Sequence, residues 1–174
     1  KMPDGNGTIP ALFQPLKLLR SLPVTNVPDL PYRPCVGIML VNERGQAFVG
    51  KRIDNKEGDW WQMPQGGMDD GEDVLTAGLR ELAEETGVDG SNAVLLARSK
   101  EELLYDLPEE LVGKLWGGKY RGQRQYWLLM RFTGSDEEID LAALNPPEFC
   151  EWRWADPELL PELIVPFKKR VYRS

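Results

Sequence analysis

The chain has 174 residues, a formal net charge of −7 and a pI near 4.8. This length suits one domain with its own core, and the acidic balance excludes the broad basic surface that wraps nucleic acid, so DNA is not an expected partner. The sequence contains no histidine, which excludes Ser-His-Asp triads, histidine general acids and most catalytic zinc sites and leaves carboxylates and metal-bound water.

Residues 1–30 are predicted to form an N-terminal arm before one domain at residues 31–174. In the arm, prolines and glycines recur, and Gln14, Pro15 and Lys17 interrupt a short apolar cluster between Ala11 and Leu19; such punctuation disfavours regular secondary structure. A docked strap, a trimmed targeting segment and a leftover of cloning all fit this composition. No apolar run approaches the roughly 18 residues that cross a bilayer, so we expect a soluble cytoplasmic protein, or one of an organelle stroma or matrix if the N-terminus was trimmed.

The domain opens with a predicted β-hairpin, formed by an apolar run at residues 34–41, a turn at 42–45 and an alternating run at 46–52. Further strands are predicted at 93–97, around Leu103, at 123–132 and at 151–154. Helical segments are predicted at 109–116, 157–163 and 166–172.

The two cysteines, Cys35 and Cys150, lie far apart and have no CxxC spacing. Cys35 belongs to an apolar run that reads as a strand. We therefore expect two buried thiols and no disulfide.

An acidic helix is predicted after the glycine-rich loop at residues 66–71. Asp73 can cap its first turn, and Gly87 is the usual signal that ends a helix. Gly78 lies inside the helix, where glycine costs roughly 1 kcal/mol relative to alanine. A close approach of the helix backbone to a sheet would explain this glycine.

The predicted helix has two chemically different faces. At 100° per residue, an apolar set falls within about 60°: Leu75, Leu79, Leu82 and Thr86. A carboxylate set occupies a sector of about 100° on the opposite side: Glu81, Glu84 and Glu85. We predict that the first face packs and that the second presents its carboxylates to a common volume.

Three carboxylates in one volume need compensation. Like charges about 4 Å apart repel by roughly 4 kcal/mol per pair at an effective dielectric near 20, so the cluster should bind protons or cations. Oxygen ligands with no histidine or thiolate nearby favour Mg²⁺, with Mn²⁺ as its substitute. A solvated acidic helix face is the alternative.

The run from Gly66 to Val88 resembles the Nudix box: a glycine, five residues, a glutamate, seven residues, then Arg-Glu-apolar-any-Glu-Glu-any-Gly-apolar. The fixed positions are filled by Gly66, Glu72, Arg80, Glu81, Leu82, Glu84, Glu85, Gly87 and Val88. The resemblance implies the α/β Nudix fold, an α/β/α sandwich with a central mixed β-sheet. It also implies Mg²⁺- or Mn²⁺-dependent hydrolysis of a nucleoside diphosphate linked to another group.

Beyond the box, residues 32–172 resemble one Nudix branch, the bacterial RNA 5′-pyrophosphohydrolases and the plant-type asymmetric diadenosine tetraphosphate hydrolases. Six stretches carry this resemblance, in order: residues 32–37, 61–67, 104–108, 122–127, 147–154 and 167–169. The arm is not covered.

The resemblance implies roles for the acidic residues and for the motif. The implied metal ligands are Glu81, Glu84, Glu85 and Glu148, although Glu148 taken alone would be a solvated loop carboxylate. Glu85 is the implied base for the attacking water, a role that varies among relatives. Arg80 and Glu72 are expected to orient the helix and its loop, and the implied structural positions of the motif are Gly66, Gly67, Glu72 and Gly87.

The resemblance also implies a nucleotide pocket. Tyr105 and Phe167 match an aromatic pair that sandwiches a base, and stacking contributes on the order of 1 to 3 kcal/mol per base; from the residues alone, both would be core aromatics. The other matched positions are Arg33, Arg52 and Lys168, which contact phosphate, and Gln65 and Gln123, which line the pocket. For Lys168 the alternative is a cation that complements a helix end.

Both substrates of the branch offer a base followed by a polyphosphate. Net acidity favours diadenosine tetraphosphate, cleaved to ATP and AMP, because long RNA gains affinity from basic surface. The alternative is a 5′-triphosphate RNA end converted to a monophosphate end.

Two other functions stay open. One is a Nudix enzyme for ADP-ribose, nucleoside triphosphates or diphosphoinositol phosphates, which the Tyr105 and Phe167 matches disfavour. The other is a non-catalytic nucleotide-binding module, which would usually have lost one of the helix glutamates. The sequence does not fix the oligomeric state, and we favour a monomer.

Overall fold

The computed structural model describes residues 29–55 and 58–173. Residues 1–28 of the predicted arm lie outside this range, so the arm and its boundary stay predictions. The strands are β1 (Tyr32–Val41), β2 (Ala47–Arg52), β3 (Trp61–Gln62), β4 (Gln65–Gly67), β5 (Ala93–Arg98), β6 (Leu103–Asp106), β7 (Gly122–Phe132) and β8 (Phe149–Ala155). The helices are α1 (Val74–Thr86), α2 (Leu160–Leu163) and α3 (Lys169–Arg173). None of the helices in the described ranges is long and apolar enough to cross a membrane.

All eight strands join one mixed sheet. β1 pairs in parallel with β7, whereas β1 also pairs antiparallel with β2 and β4. Alternation along β1 sends Val36, Ile38 and Leu40 into a core beneath α1, and Met39 into a second core that contains Leu160 of α2. Helices therefore cover both faces, which confirms the predicted α/β/α sandwich with a mixed sheet.

The limits of α1 follow from local chemistry, as predicted. The Asp73 carboxylate accepts hydrogen bonds from the backbone N–H groups of Leu75 and Thr76, both at 3.0 Å. Gly87 ends the helix in the left-handed region with φ of 72°, a conformation that glycine adopts without steric cost.

The packing face of α1 is only partly the predicted one: Leu82 and Thr86 are buried and Leu79 packs against the core, but the face is displaced around the helix. Leu75 is exposed, and the buried positions are Ala77, Gly78, Glu81, Leu82, Glu85 and Thr86. This corresponds to a rotation of roughly 80° about the helix axis at 100° per residue. Gly78 explains the rotation: a Cβ there would overlap Leu128 Cδ1 of β7, so only glycine lets the helix lie this close to the sheet. Glu81 and Glu85 consequently lie on the packed side.

Changing Gly78 to alanine is expected to lower the free energy of unfolding by about 1 kcal/mol. Alanine would gain roughly 1 kcal/mol of helix propensity, but overpacking a buried contact typically costs about 1–3 kcal/mol. Urea denaturation measures the difference. Gly90→Ala is the matched control, because a Cβ there would make ordinary contact with Leu79 at 3.6 Å. A Gly78→Ala variant more stable than the unmodified chain would contradict the packing argument.

The structure corrects the prediction for Cys150, adds two short strands and refines one helical segment. Cys35 is buried and both thiols are free, as expected, but Cys150 is exposed. It lies on β8, whose one partner among the described strands is β2. The strands β3 and β4 were not predicted, because two or three residues carry no readable alternation. The predicted helical segment at 109–116 contains a 3₁₀ turn at Glu109–Leu111, and a second runs over Leu115–Gly118.

Candidate active site

One cavity of about 710 Å³ brings together most of the predicted site residues. They come from the strands β1, β2, β4, β6 and β7, from α1, from the residue just before β8 and from the chain between α2 and α3. Those that line it are Arg33, Arg52, Gln65, Gly66, Gly67, Glu81, Glu84, Tyr105, Gln123, Glu148, Phe167 and Lys168. Glu85, Glu72, Arg80 and Gly87 are not among its lining residues, although the first three contact the same loop and helix.

Arg80 holds the glycine-rich loop against α1. Its Nε and Nη2 donate to the two carboxylate oxygens of Glu72 at 2.9 and 2.8 Å, and Nη2 also donates to the Gly67 carbonyl at 2.9 Å. Its Nη1 lies 2.8 Å from Glu81 Oε1 and 3.5 Å from Glu84 Oε2. The guanidinium lowers the pKa of Glu72. Arg80 thus offsets three glutamate charges and fixes the loop geometry.

Glu85 is the most buried acid of the site, with 2% of its surface exposed. Its Oε2 accepts the backbone N–H of Gln65 at 3.2 Å, and no described cation pairs with it. Burial first, and then the charges of Glu148 and Glu81, raise its pKa well above the ordinary value. Burial also raises the pKa of Glu81, which Arg80 partly opposes.

Glu148 lies just before β8 and faces the helix carboxylates closely enough to raise their pKa values. Its Oε2 accepts from Arg52 Nη1 at 2.9 Å. Arg52 donates in addition to both oxygens of Asp54 at 2.8 Å. A second arginine therefore neutralises the acid on this side of the cavity.

The donors fit a hard divalent cation, although their present arrangement does not enclose one. Within the described ranges, no three His, Cys, Asp or Glu side chains are grouped as a metal site. Glu81 forms an ion pair with Arg80 and Glu148 forms one with Arg52, so these carboxylates face the arginines and not one another. The chemistry nevertheless matches: carboxylate oxygens suit Mg²⁺ or Mn²⁺, and Glu85 is a buried acid without a cation. Gly66 gives the Glu81 carboxyl its space, since a Cβ there would overlap it.

Tyr105 and Phe167 meet in the cavity, but they contact each other. Their ring centroids lie 6.0 Å apart and the ring planes are inclined by 47°. A base between two parallel rings needs two van der Waals gaps, about 7 Å in total, so the implied sandwich is closed in this structure. Tyr105 is buried, whereas Phe167 is 36% exposed. Phe167 is therefore the ring that must move to admit a base.

Cations line the cavity near these rings. The Lys168 ammonium lies 5.6 Å from the centre of the Tyr105 ring, and burial, followed by the charge of Arg52, lowers its pKa to about 8. Arg33 has no ion pair with any residue that the structure describes, and its guanidinium lies 5.5 Å from the centre of the Trp116 ring. A polyphosphate would find partly uncompensated positive charge here.

Sequence reasoning missed Trp116 and Gln125. Trp116 lines the cavity and holds a left-handed φ of 50°, and its only signal was the pair of glycines that follow it. Gln125 is 1% exposed on β7. Its role became visible only in the hydrogen bonds across the sheet, which periodicity does not report.

Comparisons with known proteins agree with the site. The model of the family described as NUDIX domain matches residues 31–174. The chain is 67% identical over 145 residues to the RNA pyrophosphohydrolase of Novosphingobium aromaticivorans, covering 83% of this chain and 90% of the relative. It is 59% identical over 146 residues to the enzyme of the same name from Erythrobacter litoralis, covering 84% and 89%.

A solved structure supports the fold. The E. coli dihydroneopterin triphosphate pyrophosphohydrolase superposes with a TM-score of 0.64 at 17% identity, over 82% of this chain and 94% of that one. Members of the family generally depend on a divalent metal. The alternative of a non-catalytic module finds no support among these matches. The chain therefore belongs to the Nudix family and is a pyrophosphohydrolase, an enzyme that cleaves phosphoric anhydride bonds.

Proposed function

We propose that this enzyme is an RNA 5′-pyrophosphohydrolase, which converts a 5′-triphosphate RNA end to a monophosphate end and releases pyrophosphate. The observation that carries the proposal is the 67% identity, across most of both chains, to a protein of that name. Net acidity favoured diadenosine tetraphosphate in the sequence, and that preference is unconfirmed. It stays the second candidate, since one base followed by a polyphosphate fits the same cavity.

Divalent cations belong to this proposal. Their ligands would be Glu81, Glu84, Glu85 and Glu148, after the carboxylates turn away from Arg80 and Arg52. When bound, such cations neutralise the phosphate oxygens and lower the pKa of a nearby water. The burial of Glu85 supports this assignment, because a charged carboxylate in low dielectric is otherwise costly.

Glu85 is proposed as the base. Its Oε2 accepts the Gln65 N–H, whereas no described residue donates a hydrogen bond to Oε1, which can accept a proton from the attacking water. The water oxygen forms a bond to the α-phosphorus, the anhydride bond to the β-phosphate breaks, and pyrophosphate leaves in line. Desolvation raises the pKa of Glu85, which increases its affinity for that proton.

The remaining cavity residues orient the substrate. Arg33 and Lys168 are proposed to contact the triphosphate, where the charge of an arginine without an acidic partner is fully available. Tyr105 and Phe167 are proposed to stack on a base once Phe167 swings outward. Trp116 supports Arg33 through its ring face at 5.5 Å.

We expect the purified protein to release pyrophosphate from 5′-triphosphorylated RNA with a higher kcat/KM than it shows for diadenosine tetraphosphate. Both substrates should be compared at matched Mg²⁺ and again with Mn²⁺. Excess EDTA is the control, and it should abolish turnover because the carboxylates alone cannot neutralise the phosphates. A higher kcat/KM for diadenosine tetraphosphate would reverse the ranking, and undiminished turnover in EDTA would contradict the metal assignment.

A further inference from the structure

A glutamine network forms one wall of the cavity. Gln125 Nε2 donates to Gln65 Oε1 at 3.2 Å and to Gln123 Oε1 at 2.7 Å. The Gln125 Oε1 atom accepts from Trp127 Nε1 at 3.1 Å. Gln125 is fully buried behind this wall, whereas Gln65 and Gln123 line the cavity itself.

The direction of every bond in the network follows from the indole. Tryptophan N–H can only donate, so the Gln125 group that faces it must be the carbonyl oxygen. The Gln125 amino group is then fixed towards the other two glutamines, and their carbonyl oxygens must face Gln125. Gly37 secures the indole position, because a Cβ there would overlap the Trp127 ring.

The cavity consequently receives amino groups and not carbonyls from this wall. The carbonyl oxygens of Gln65 and Gln123 already accept hydrogen bonds from Gln125. No described residue accepts a hydrogen bond from the Nε2 atom of either glutamine. Two N–H donors without partners at a cavity wall select a ligand that presents acceptors.

The position of Gln123 indicates which part of a nucleotide it meets. Gln123 pairs directly with Tyr105 of β6 on one side and with Arg33 of β1 on the other. Directly paired residues project on the same face, with Cβ atoms about 5 Å apart. A base stacked against the aromatic pair therefore has its edge beside the Gln123 amino group.

We propose that Gln125 is a positioning residue that makes this pocket select bases with an acceptor edge, guanine and uracil, over adenine and cytosine. Guanine offers O6 and N7 and uracil offers O4, whereas adenine and cytosine present an amino group there. Stacking itself tolerates every base, so the discrimination comes from the amides. The inference rests on the proposed nucleotide substrate and adds its base preference.

Equilibrium binding tests the inference without turnover. Dissociation constants for GTP against ATP, and for UTP against CTP, are measured by calorimetry in EDTA on the full chain. We expect roughly tenfold tighter binding of the acceptor-edged member of each pair, the effect of one hydrogen bond gained against one donor left unpaired. The members of each pair match in size, and comparing UTP with CTP repeats the test on the smaller pyrimidine bases.

Two variants locate the preference in the network. In Gln125→Glu the carboxylate can only accept, so Gln65 and Gln123 turn their amino groups towards it and present carbonyls to the cavity, and the preference should reverse. In Trp127→Phe the orienting donor is lost, and the preference should fall towards unity. Gln46→Glu adds the same charge outside the cavity, in the turn before β2 and near Asp156, and should keep the preference.

Ratios separate this role from a structural one, because a destabilised pocket would weaken both members of a pair equally. Equal binding of GTP and ATP by the unmodified chain, or an unchanged ratio in Gln125→Glu, would overturn the inference. Hydrolysis of triphosphorylated RNA ends without base preference would leave the proposed function standing. A clear base preference without RNA hydrolysis would support the role of Gln125 and contradict the proposed RNA substrate.

Discussion

Replacing Glu85 with glutamine is expected to lower kcat by about 10³-fold, within the range that a positioned base contributes. Glutamine keeps the size of the side chain, but it cannot take the proton of the attacking water and is a poorer cation ligand. Glu85 is 2% exposed, and burial destabilises its charged form. The neutral amide should therefore not lower Tm. Loss of activity with an unchanged Tm would therefore report chemistry and not unfolding.

The measurement is kcat at saturating Mg²⁺ and saturating substrate. Glu158→Gln is the matched control, because Glu158 is an exposed carboxylate in the turn before α2 and should leave kcat unchanged. Near-normal turnover in Glu85→Gln would remove Glu85 from the role of base and direct attention to Glu81 or Glu84.

The second large effect is expected from Gly66→Ala. An added methyl group would overlap the carboxyl group of Glu81, so this side chain must shift away from β4. The shift disturbs both its contact with Arg80, where Nη1 and Oε1 lie 2.8 Å apart, and the position from which it is proposed to bind a cation. Displacing a reacting group by about 1 Å can cost 10²-fold in rate, and we expect a fall in kcat of about that size. The change is a single methyl group on a β-strand, which alters neither charge nor polarity.

Steady-state kinetics and a metal titration together check this prediction. Gly90→Ala again serves as the control, since its Cβ would have room. The concentration of Mn²⁺ that gives half-maximal activity should rise in Gly66→Ala and stay constant in Gly90→Ala. Unchanged kcat and metal dependence in Gly66→Ala would show that the position of Glu81 does not matter.

The sequence was sufficient for the elements whose limits depend on local chemistry. Asp73 and Gly87 set the ends of α1 through hydrogen bonds and a left-handed turn that involve only neighbouring residues. The spacing of the acidic motif predicted the family, and the apolar run of β1 and the alternation in β7 predicted the central strands.

Tertiary contacts decided what the sequence could not show. The rotation of α1 depends on Gly78 meeting Leu128 from another strand, and helical periodicity alone favoured the leucine-rich face. The pairing of Glu148 with Arg52 likewise joins residues far apart in the chain. Most of the site residues that line the cavity were reached through a family resemblance. Gln125 lies within one of the matched stretches but was given no role, since a buried glutamine in a strand is ordinary until its partners are known.

Anomalous diffraction from crystals grown with Mn²⁺ tests the central claim, that these carboxylates jointly hold divalent cations at the cavity. We predict anomalous peaks in bonding contact with carboxylate oxygens of Glu81, Glu85 and Glu148, with Glu81 turned from Arg80 and Glu148 turned from Arg52. Crystals in which both arginine pairs persist, with no anomalous peak beside these acids, would contradict it.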